Sequence, residues 1–246
     1  MGMFPTISTA TPSSLTRSNN LPAIHLQNVL FAYERKTPLL WIEELLIDDG
    51  TRVFLHGPSG SGKTTLLGLI AGVLRADKGS VKVFGKDLSR LSATAQDRHR
   101  GAEIGYIFQS FNLIPYLSVR DNIALPCQVH ARRMKRITAS TLDAEVARIA
   151  ERLDLNGCLH RPVTKLSRGQ QQRVAIARAV IGAPRLMIAD EPTSSLDRNR
   201  QEGFLRLLIE VCNEARATLI FVSHDDAMMS CFERHISMAE INRVHS

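Results

Sequence analysis

Apolar residues in this chain either alternate with polar ones or form short runs, and both patterns predict β-strands. Residues 23–33 alternate in part and predict an edge strand, and residues 39–47 predict a second strand. Residues 51–56 form an apolar run of the kind found in buried strands. Further strands are predicted at 79–84, 105–109, 185–189 and 218–223, and helices at 64–74, 143–155 and 170–180.

Strands that alternate with helices favour an open α/β sheet of parallel strands. Between residues 112 and 165 the pattern becomes helical, with Val146, Ile149 and Leu153 on one helix face. We therefore expect a single domain at 21–246, with an α/β core at 21–111 and 166–246 and a helical subdomain at about 112–165. Residues 1–20 are rich in Ser, Thr, Pro and Asn and predict a disordered tail.

The formal charge of +7 is concentrated in one part of the chain. Residues 120–180 hold twelve Lys and Arg against five Asp and Glu, with the densest cluster, RRMKR, at residues 132–136. This predicts a basic surface that faces phosphates, lipid headgroups or an acidic partner. The alternative is a solvated, arginine-rich helical face.

The four cysteines are far apart and show no metal-ligand spacing, which is typical of buried or free thiols in a reducing compartment. No apolar run approaches the roughly 18 to 20 residues of a membrane span. We therefore expect a cytosolic protein, unless a membrane partner holds it.

A glycine-rich loop, GPSGSGKT, lies at residues 57–64 between a predicted strand and a predicted helix. Its glycines allow the backbone to wrap a polyphosphate at the positive end of the helix. Lys63 is expected to reach the β- and γ-phosphates, the Thr64 hydroxyl to bind Mg²⁺, and Thr65 to bond the α-phosphate. The predicted phosphate site comprises Gly57, Pro58, Ser59, Gly60, Ser61, Gly62, Lys63, Thr64 and Thr65.

Two adjacent carboxylates follow the predicted strand at 185–189. Ligands of open α/β sheets bind at the carboxyl ends of the strands, which is where Asp190 and Glu191 fall. Asp190 is expected to hold Mg²⁺ through water, and Glu191 to act as the general base that polarises the attacking water. The alternative is that one of the pair only caps or pairs structurally.

With these motifs in view, the chain from residue 23 onward resembles the ATP-binding subunits of ABC transporters, because LSRGQQQRVAIARA at 166–179 precedes LMIADEP at 186–192. The resemblance implies a RecA-like P-loop NTPase core with an antiparallel β edge and an inserted helical subdomain. It also implies that Tyr33 stacks on adenine, although a core aromatic is the alternative. Gln109 would be the Q-loop glutamine that senses Mg²⁺, residues 194–197 the D-loop, and His224 the switch histidine at the γ-phosphate.

The signature loop of this family usually reads LSGGQ, and Arg168 replaces its first glycine. The resemblance implies that Ser167, Gly169 and Gln170 bind the γ-phosphate held by a second copy of the chain. Two copies would then close around two ATP, with Mg²⁺, and open after hydrolysis. Because Lys63, Glu191 and His224 are present, Arg168 does not imply an inactive site.

The sequence around the motifs is similar to that of the lipoprotein-release and macrolide-export branch of the family. This implies a separate transmembrane permease as partner, export or cargo release as the function, and a peripheral position on the cytoplasmic face of the membrane. An ATP-driven regulatory clamp of the cell-division type is the alternative. No nucleic-acid partner is expected, since ABC ATPases of that class usually carry two cassettes or a long coiled-coil insertion. A small-molecule kinase would not need the signature, Glu191 and His224 together.

Overall fold

The structure is a computed structural model and describes residues 21–34, 37–194 and 196–245. The predicted tail at 1–20 and Ser195 of the predicted D-loop lie outside these residues. The strands are β1 (Ile24–Phe31), β2 (Leu40–Ile47), β3 (Arg52–His56), β4 (Lys78–Val83), β5 (Lys86–Asp87), β6 (Ile104–Ile107), β7 (Leu186–Asp190), β8 (Thr218–Val222) and β9 (Arg234–Ser237). The helices are α1 (Lys63–Ile70), α2 (Ala93–Glu103), α3 (Val119–Val129), α4 (Ala131–Met134), α5 (Leu142–Arg152), α6 (Arg168–Val180), α7 (Arg198–Glu214) and α8 (Met238–Ile241).

Five parallel strands form the central sheet, in the order β6-β7-β8-β3-β9. Every residue of β8 is buried, as are the first four of β7, because helices cover both faces of such a sheet. Since the strands are parallel, their carboxyl ends lie at one edge. The loops after β3, β6, β7 and β8 therefore meet there, and these loops carry the predicted phosphate and carboxylate residues.

A second, antiparallel sheet has the order β2-β1-β4-β5. β1 pairs with both β2 and β4, so the predicted edge position of β1 is wrong. Its alternation reports that Ile24 and Leu26 are buried on the core face, and a register irregularity between Gln27 and Leu30 brings Val29 to the same face. The alternation carries no information about how many neighbouring strands β1 has.

The segment 112–165 contains α3, α4 and α5, and α6 packs against α3. One apolar cluster joins Ile123 of α3 and Ile149 of α5 to Val174 of α6 and Phe221 of the central sheet. α6 therefore packs both against the helical segment and against the sheet, and the Arg133 side chain of α4 adds a direct hydrogen bond to β6. Within the described residues, no helix has the length and apolar character needed to cross a bilayer.

Five elements outside the helical segment were not predicted: β5, α2, α7, β9 and α8. α2 has few apolar positions and buries His99, Ala102 and Glu103 instead of an apolar stripe. β9 is only four residues long and is placed by its parallel pairing with β3. Such elements depend on their neighbours more than on local pattern.

The basic cluster at residues 132–136 is split between solvent and the interior. Arg133 is 2% exposed and donates hydrogen bonds to four backbone carbonyls. Arg136 donates to both carboxylate oxygens of buried Glu103, at 2.7 and 2.9 Å. Both predicted interpretations, a contact surface and a solvated face, are thus wrong for these two arginines, because their guanidinium groups satisfy buried acceptors. Arg132 remains exposed.

Candidate active site

The glycine-rich loop connects β3 to α1, and its backbone at three positions adopts conformations that favour glycine. Gly57, Gly60 and Gly62 have φ angles of 153°, 79° and 95°, which glycine adopts without strain. A Cβ atom on Gly62 would lie 2.6 Å from Leu40 Cδ2. Among the described residues no side chain caps the start of α1, so its first backbone N–H groups are left for the loop and its ligand.

Lys63 is 8% exposed and lies inside the loop. Its Nζ donates hydrogen bonds to the carbonyls of Gly57 at 2.8 Å and Pro58 at 3.0 Å. Ser61 Oγ is buried and has no hydrogen-bond partner among the described residues, whereas Ser59 is exposed. An unpaired buried hydroxyl costs about 1–3 kcal/mol. A phosphate oxygen would supply the missing acceptor, so the loop fits a polyphosphate.

The two threonines after Lys63 differ in environment. Thr64 is exposed, whereas Thr65 is buried and its Oγ1 lies 3.4 Å from the hydroxyl of Tyr33. Tyr33 follows the end of β1, is 68% exposed, and makes an edge contact with the ring of Phe31 at 4.9 Å. The alternative interpretation of Tyr33 as a core aromatic is therefore wrong. One face of the Tyr33 ring remains available for a ligand beside the glycine-rich loop.

Asp190 ends β7, and Glu191 follows it in a left-handed conformation with φ of 46°. This conformation costs a non-glycine residue about 1–3 kcal/mol. The Glu191 backbone N–H donates to the carbonyl of Val222 at the end of β8, at 3.1 Å. Its Oε2 lies 3.8 Å from Nδ1 of His224, whose side chain is mostly exposed. The turn at Glu191 thus directs its carboxylate towards the loop after β8.

Burial raises the pKa of Asp190, and the neighbouring Glu191 charge acts in the same direction. A hydrogen bond from the Tyr106 hydroxyl, at 3.3 Å, and the Lys63 charge oppose this rise. Burial and the Asp190 charge in turn raise the pKa of Tyr106. Sequence reasoning did not single out Tyr106, although it lies in the strand immediately before Gln109. Its pairing position, opposite Ile188 on β7, brings its hydroxyl to the carboxylate.

Gln109 lies two residues beyond the end of β6, outside the strand in which the pattern placed it. Its Nε2 donates to Ser194 Oγ at 3.1 Å, which links the loop after β6 to the loop after β7. Asp197, the last residue of the predicted D-loop, accepts from the backbone of Arg200 and caps α7.

The predicted signature loop forms the start of α6. Ser167 Oγ accepts from the Gln170 backbone at 3.3 Å, and Gln170 Oε1 accepts from the Ser167 backbone at 3.0 Å, which is a capping box. A Cβ atom on Gly169 would meet nothing within 4 Å. The guanidinium of Arg168 lies 4.6 Å over the ring of Phe111.

The segment after Gln109 is held by α6 at two places. Phe111 and Asn112 have φ angles of 62° and 45°, and the Arg178 guanidinium donates to their carbonyls at 2.6 and 2.7 Å. Arg168 covers the Phe111 ring from the other end of the same helix. The pattern analysis identified neither Phe111 nor Arg178. α6 thus contacts this loop near both of its ends.

The site residues thus fall into two groups. Lys63, Asp190, Glu191 and His224 lie at the carboxyl edge of the parallel sheet, with Gln109 bridging two of its loops. The signature residues Ser167 and Gly169 lie on α6, against the segment after Gln109.

Comparison with known proteins identifies this arrangement. The family described as ABC transporter matches residues 44–194. This chain belongs to that family. The ATP-binding protein LolD of the lipoprotein-releasing system of Anaeromyxobacter dehalogenans is 38% identical over 204 residues, covering 83% of this chain and 84% of LolD. The membership confirms the predicted resemblance, the α/β P-loop NTPase fold and the activity of an ATP-binding, ATP-hydrolysing subunit of an ABC transporter.

Solved structures of ABC cassettes agree with this assignment. The dimeric structure of MJ0796, a bacterial ABC transporter cassette, has a TM-score of 0.75 and 31% identity, covering 87% of this chain and 93% of that one. MJ0796 in a post-hydrolysis state, bound to ADP and Pi, gives a TM-score of 0.74 at 30% identity.

Proposed function

We propose that two copies of this ABC subunit close around two ATP, and that hydrolysis reopens them to drive a separate membrane permease. The observation that carries this proposal is the division of the site residues. Phosphate-binding and carboxylate residues share the edge of the parallel sheet, whereas Ser167 and Gly169 lie on α6. A second copy would bring its own Ser167 and Gly169 to the phosphates. The MJ0796 cassette, which is similar to this chain, also has a dimeric structure.

The donor set suits Mg²⁺ together with ATP. Thr64, Asp190 and Gln109 offer the hydroxyl, carboxylate and amide oxygens that this cation prefers. When bound, Mg²⁺ neutralises charge that develops on the phosphates. Lys63 and the head of α1 hold the polyphosphate, and the exposed ring of Tyr33 provides a surface for the adenine base.

Glu191 has the position of the general base. Its carboxylate accepts a proton from water as the water oxygen bonds to the γ-phosphorus and the bond to the ADP oxygen breaks. His224, 3.8 Å from Glu191, orients the carboxylate and contacts the released phosphate. Loss of that phosphate removes the group that Ser167 and Gly169 of the other copy would bind, and the two copies separate.

The relatives support export or release of lipoprotein or lipid-linked cargo, since LolD is an ATP-binding protein of a lipoprotein-releasing system. The permease would dock beside the segment after Gln109, where a cleft of about 650 Å³ is lined by exposed Val73, Phe108 and Val129. With the permease docked there, the subunit would lie peripherally on the cytoplasmic face of the membrane. No observation favours the cell-division type of regulatory clamp.

The test compares wild type with Glu191→Gln in ATP hydrolysis and in light scattering with ATP. We expect the variant to lose hydrolysis and to accumulate as an ATP-bound dimer, because it binds ATP but lacks the base. Glu202→Gln, the same change on an exposed carboxylate of α7, is the control and should behave as wild type. Unimpaired hydrolysis by Glu191→Gln would refute its role as base.

A second variant tests the composite site. Adding Ser167→Arg to Glu191→Gln should abolish the ATP-dependent dimer while each monomer still binds a fluorescent ATP analogue. If ATP binding to the monomer is lost as well, Ser167 acts within its own chain, and the proposed closure between copies is wrong.

A further inference from the structure

A second cleft, of about 430 Å³, lies between α2 and the junction of α3 and α4. Its lining includes five basic side chains, Lys86, Arg98, His99, His130 and Arg132. They come from β5, α2 and the α3–α4 region, so they converge from three parts of the chain. None of them belongs to the nucleotide site described above.

The cleft carries an excess of positive charge. No acidic residue is among those that line it in the described part of the chain. The buried carboxylate of Glu103 lies 2.7 Å from Arg136 and 3.8 Å from Arg132, so Arg136 is its closer partner. Within the same described residues, neither Lys86 nor Arg98 has a carboxylate within 4 Å. Two cations therefore face the cleft without a protein counterion.

His99 supplies an independent indication of a ligand. It is 5% exposed, and its Nε2 is buried without a hydrogen-bond partner among the described residues. Burial lowers the pKa of His99, and Lys86, Arg132 and Arg185 lower it further, against the opposing charge of Glu103. The imidazole is thus an unsatisfied polar group at positive potential, and a ligand that hydrogen-bonds to it would remove the cost of leaving it unpaired.

The wall of the cleft is preformed. A Cβ atom on Gly101 would lie 2.0 Å from ring atoms of His130, so glycine at this position lets α2 contact the imidazole directly. Burial and nearby Arg133 and Arg100 lower the pKa of His130, and Asp97 opposes this. The His130 ring thus packs against the backbone of α2 and lines the cleft together with His99.

We propose that this cleft binds a phosphate group, either free or as the headgroup of an anionic lipid. Phosphate accepts hydrogen bonds in several directions, which suits Lys86, Arg98 and Arg132 as separated donors. A carboxylate, which is planar, would be better matched by the parallel N–H donors of a single arginine guanidinium. The volume exceeds that of a single phosphate and falls within the range of about 300–1,000 Å³ typical of ligand pockets, which leaves room for a headgroup. The argument for this site does not depend on the proposed transport function, although Val129 and His130 line both this cleft and the larger one proposed for the permease.

The first experiment titrates the full chain with inorganic phosphate at constant ionic strength and follows histidine ring resonances by NMR, with His99 assigned from His99→Gln. We expect a saturable shift of the His99 resonance and a higher pKa, because bound phosphate offsets the nearby cations. The double variant Lys86→Gln, Arg98→Gln should raise the dissociation constant by about tenfold or more. ATP hydrolysis should be unchanged in this variant, which separates the cleft from the nucleotide site.

The matched control is Lys78→Gln, Arg206→Gln, which removes the same charge from exposed positions outside the cleft. It should bind phosphate as wild type does. Equal weakening in both double variants would mean that only net charge matters, and the proposal would be wrong. An unchanged His99 resonance at tens of millimolar phosphate would also overturn it.

The second experiment distinguishes the two sources of phosphate by sedimentation with vesicles of phosphatidylglycerol or phosphatidylcholine. A lipid-headgroup site requires wild type and the control to sediment with phosphatidylglycerol more strongly than the cleft variant does. Phosphate binding in the NMR experiment without that difference identifies free phosphate. If a glutamate-rich peptide shifts His99 at lower concentration than phosphate does, the cleft binds acidic protein segments and the proposal is wrong.

Discussion

Replacing Arg133 by methionine should destabilise this protein far more than a change at a basic surface residue. Its guanidinium donates to the carbonyls of Gly101 at 2.8 Å, Ala179 at 3.0 Å and Ile181 at 2.9 Å, and also to that of Ile104. These carbonyls belong to the end of α2, the start of β6 and the end of α6. One side chain thus joins the strand that leads to Gln109 to the helix that begins at the signature loop.

The magnitude follows from two opposing contributions. Four hydrogen bonds to a charged donor, at about 1.5 kcal/mol each, stabilise the fold by roughly 6 kcal/mol. Removing the buried charge returns about 3 kcal/mol, since burial lowers the pKa of Arg133 from 12.5 to about 10 and each pKa unit corresponds to about 1.36 kcal/mol. The expected net loss is about 3 kcal/mol, which is the lower end of the cost of breaking a buried charged network.

Thermal unfolding followed by circular dichroism measures this loss. For a chain of this size about 1 kcal/mol lowers Tm by roughly 2–4 °C, so Arg133→Met should lower it by about 6–12 °C. Lys135→Met, the same change at an exposed position two residues away, should change the free energy of unfolding by less than about 0.5 kcal/mol. Equal, small effects of both variants would show that Arg133 is solvated and that the hydrogen-bond reasoning is wrong.

Three further outcomes are expected. Gly62→Ala should lose ATP binding and stability, measured by fluorescent-nucleotide titration and thermal melting, because its Cβ would overlap Leu40 at 2.6 Å in a positive-φ conformation; wild-type affinity would contradict this. Asn122→Ala should cost about 2–3 kcal/mol in urea unfolding, since the buried amide makes four hydrogen bonds to the loop at 114–118; a loss below about 0.5 kcal/mol would refute that role. At pH 8, exposed Cys231 should react with a thiol reagent while Cys212 does not. Burial raises the pKa of Cys212 to about 12, so its reactive thiolate is scarce until the pH approaches that value; equal labelling rates in the folded protein would contradict this.

The local sequence pattern was sufficient to predict motifs whose geometry is set by residues close in sequence. The strand, glycine turn and helix around Lys63 follow from adjacent residues. The capping box of Ser167 and Gln170 was not predicted, although it also joins residues close in sequence. The apolar run before Asp190 likewise places this carboxylate at a strand end. These features depend on contacts between residues close in sequence, so they can be derived without the fold.

The partners of charged and aromatic side chains could not be derived in this way. Tyr106 reaches Asp190 only because β6 and β7 are paired, and Arg168 covers Phe111 only because α6 packs beside the loop after β6. The same holds for α2, whose weak apolar pattern does not reveal that His99 and Glu103 are buried.

The basic segment at 120–180 shows most clearly the difference between what the sequence determines and what the tertiary structure decides. The sequence by itself determined that the chain has an excess of arginine there, and that it is an ATP-binding cassette with its phosphate loop and carboxylates in order. Only the tertiary structure decided that Arg133 satisfies buried carbonyls while Arg132 faces a cleft. The physical reason is that hydrogen bonding and desolvation depend on which distant backbone groups surround a charge, and no local periodicity records them.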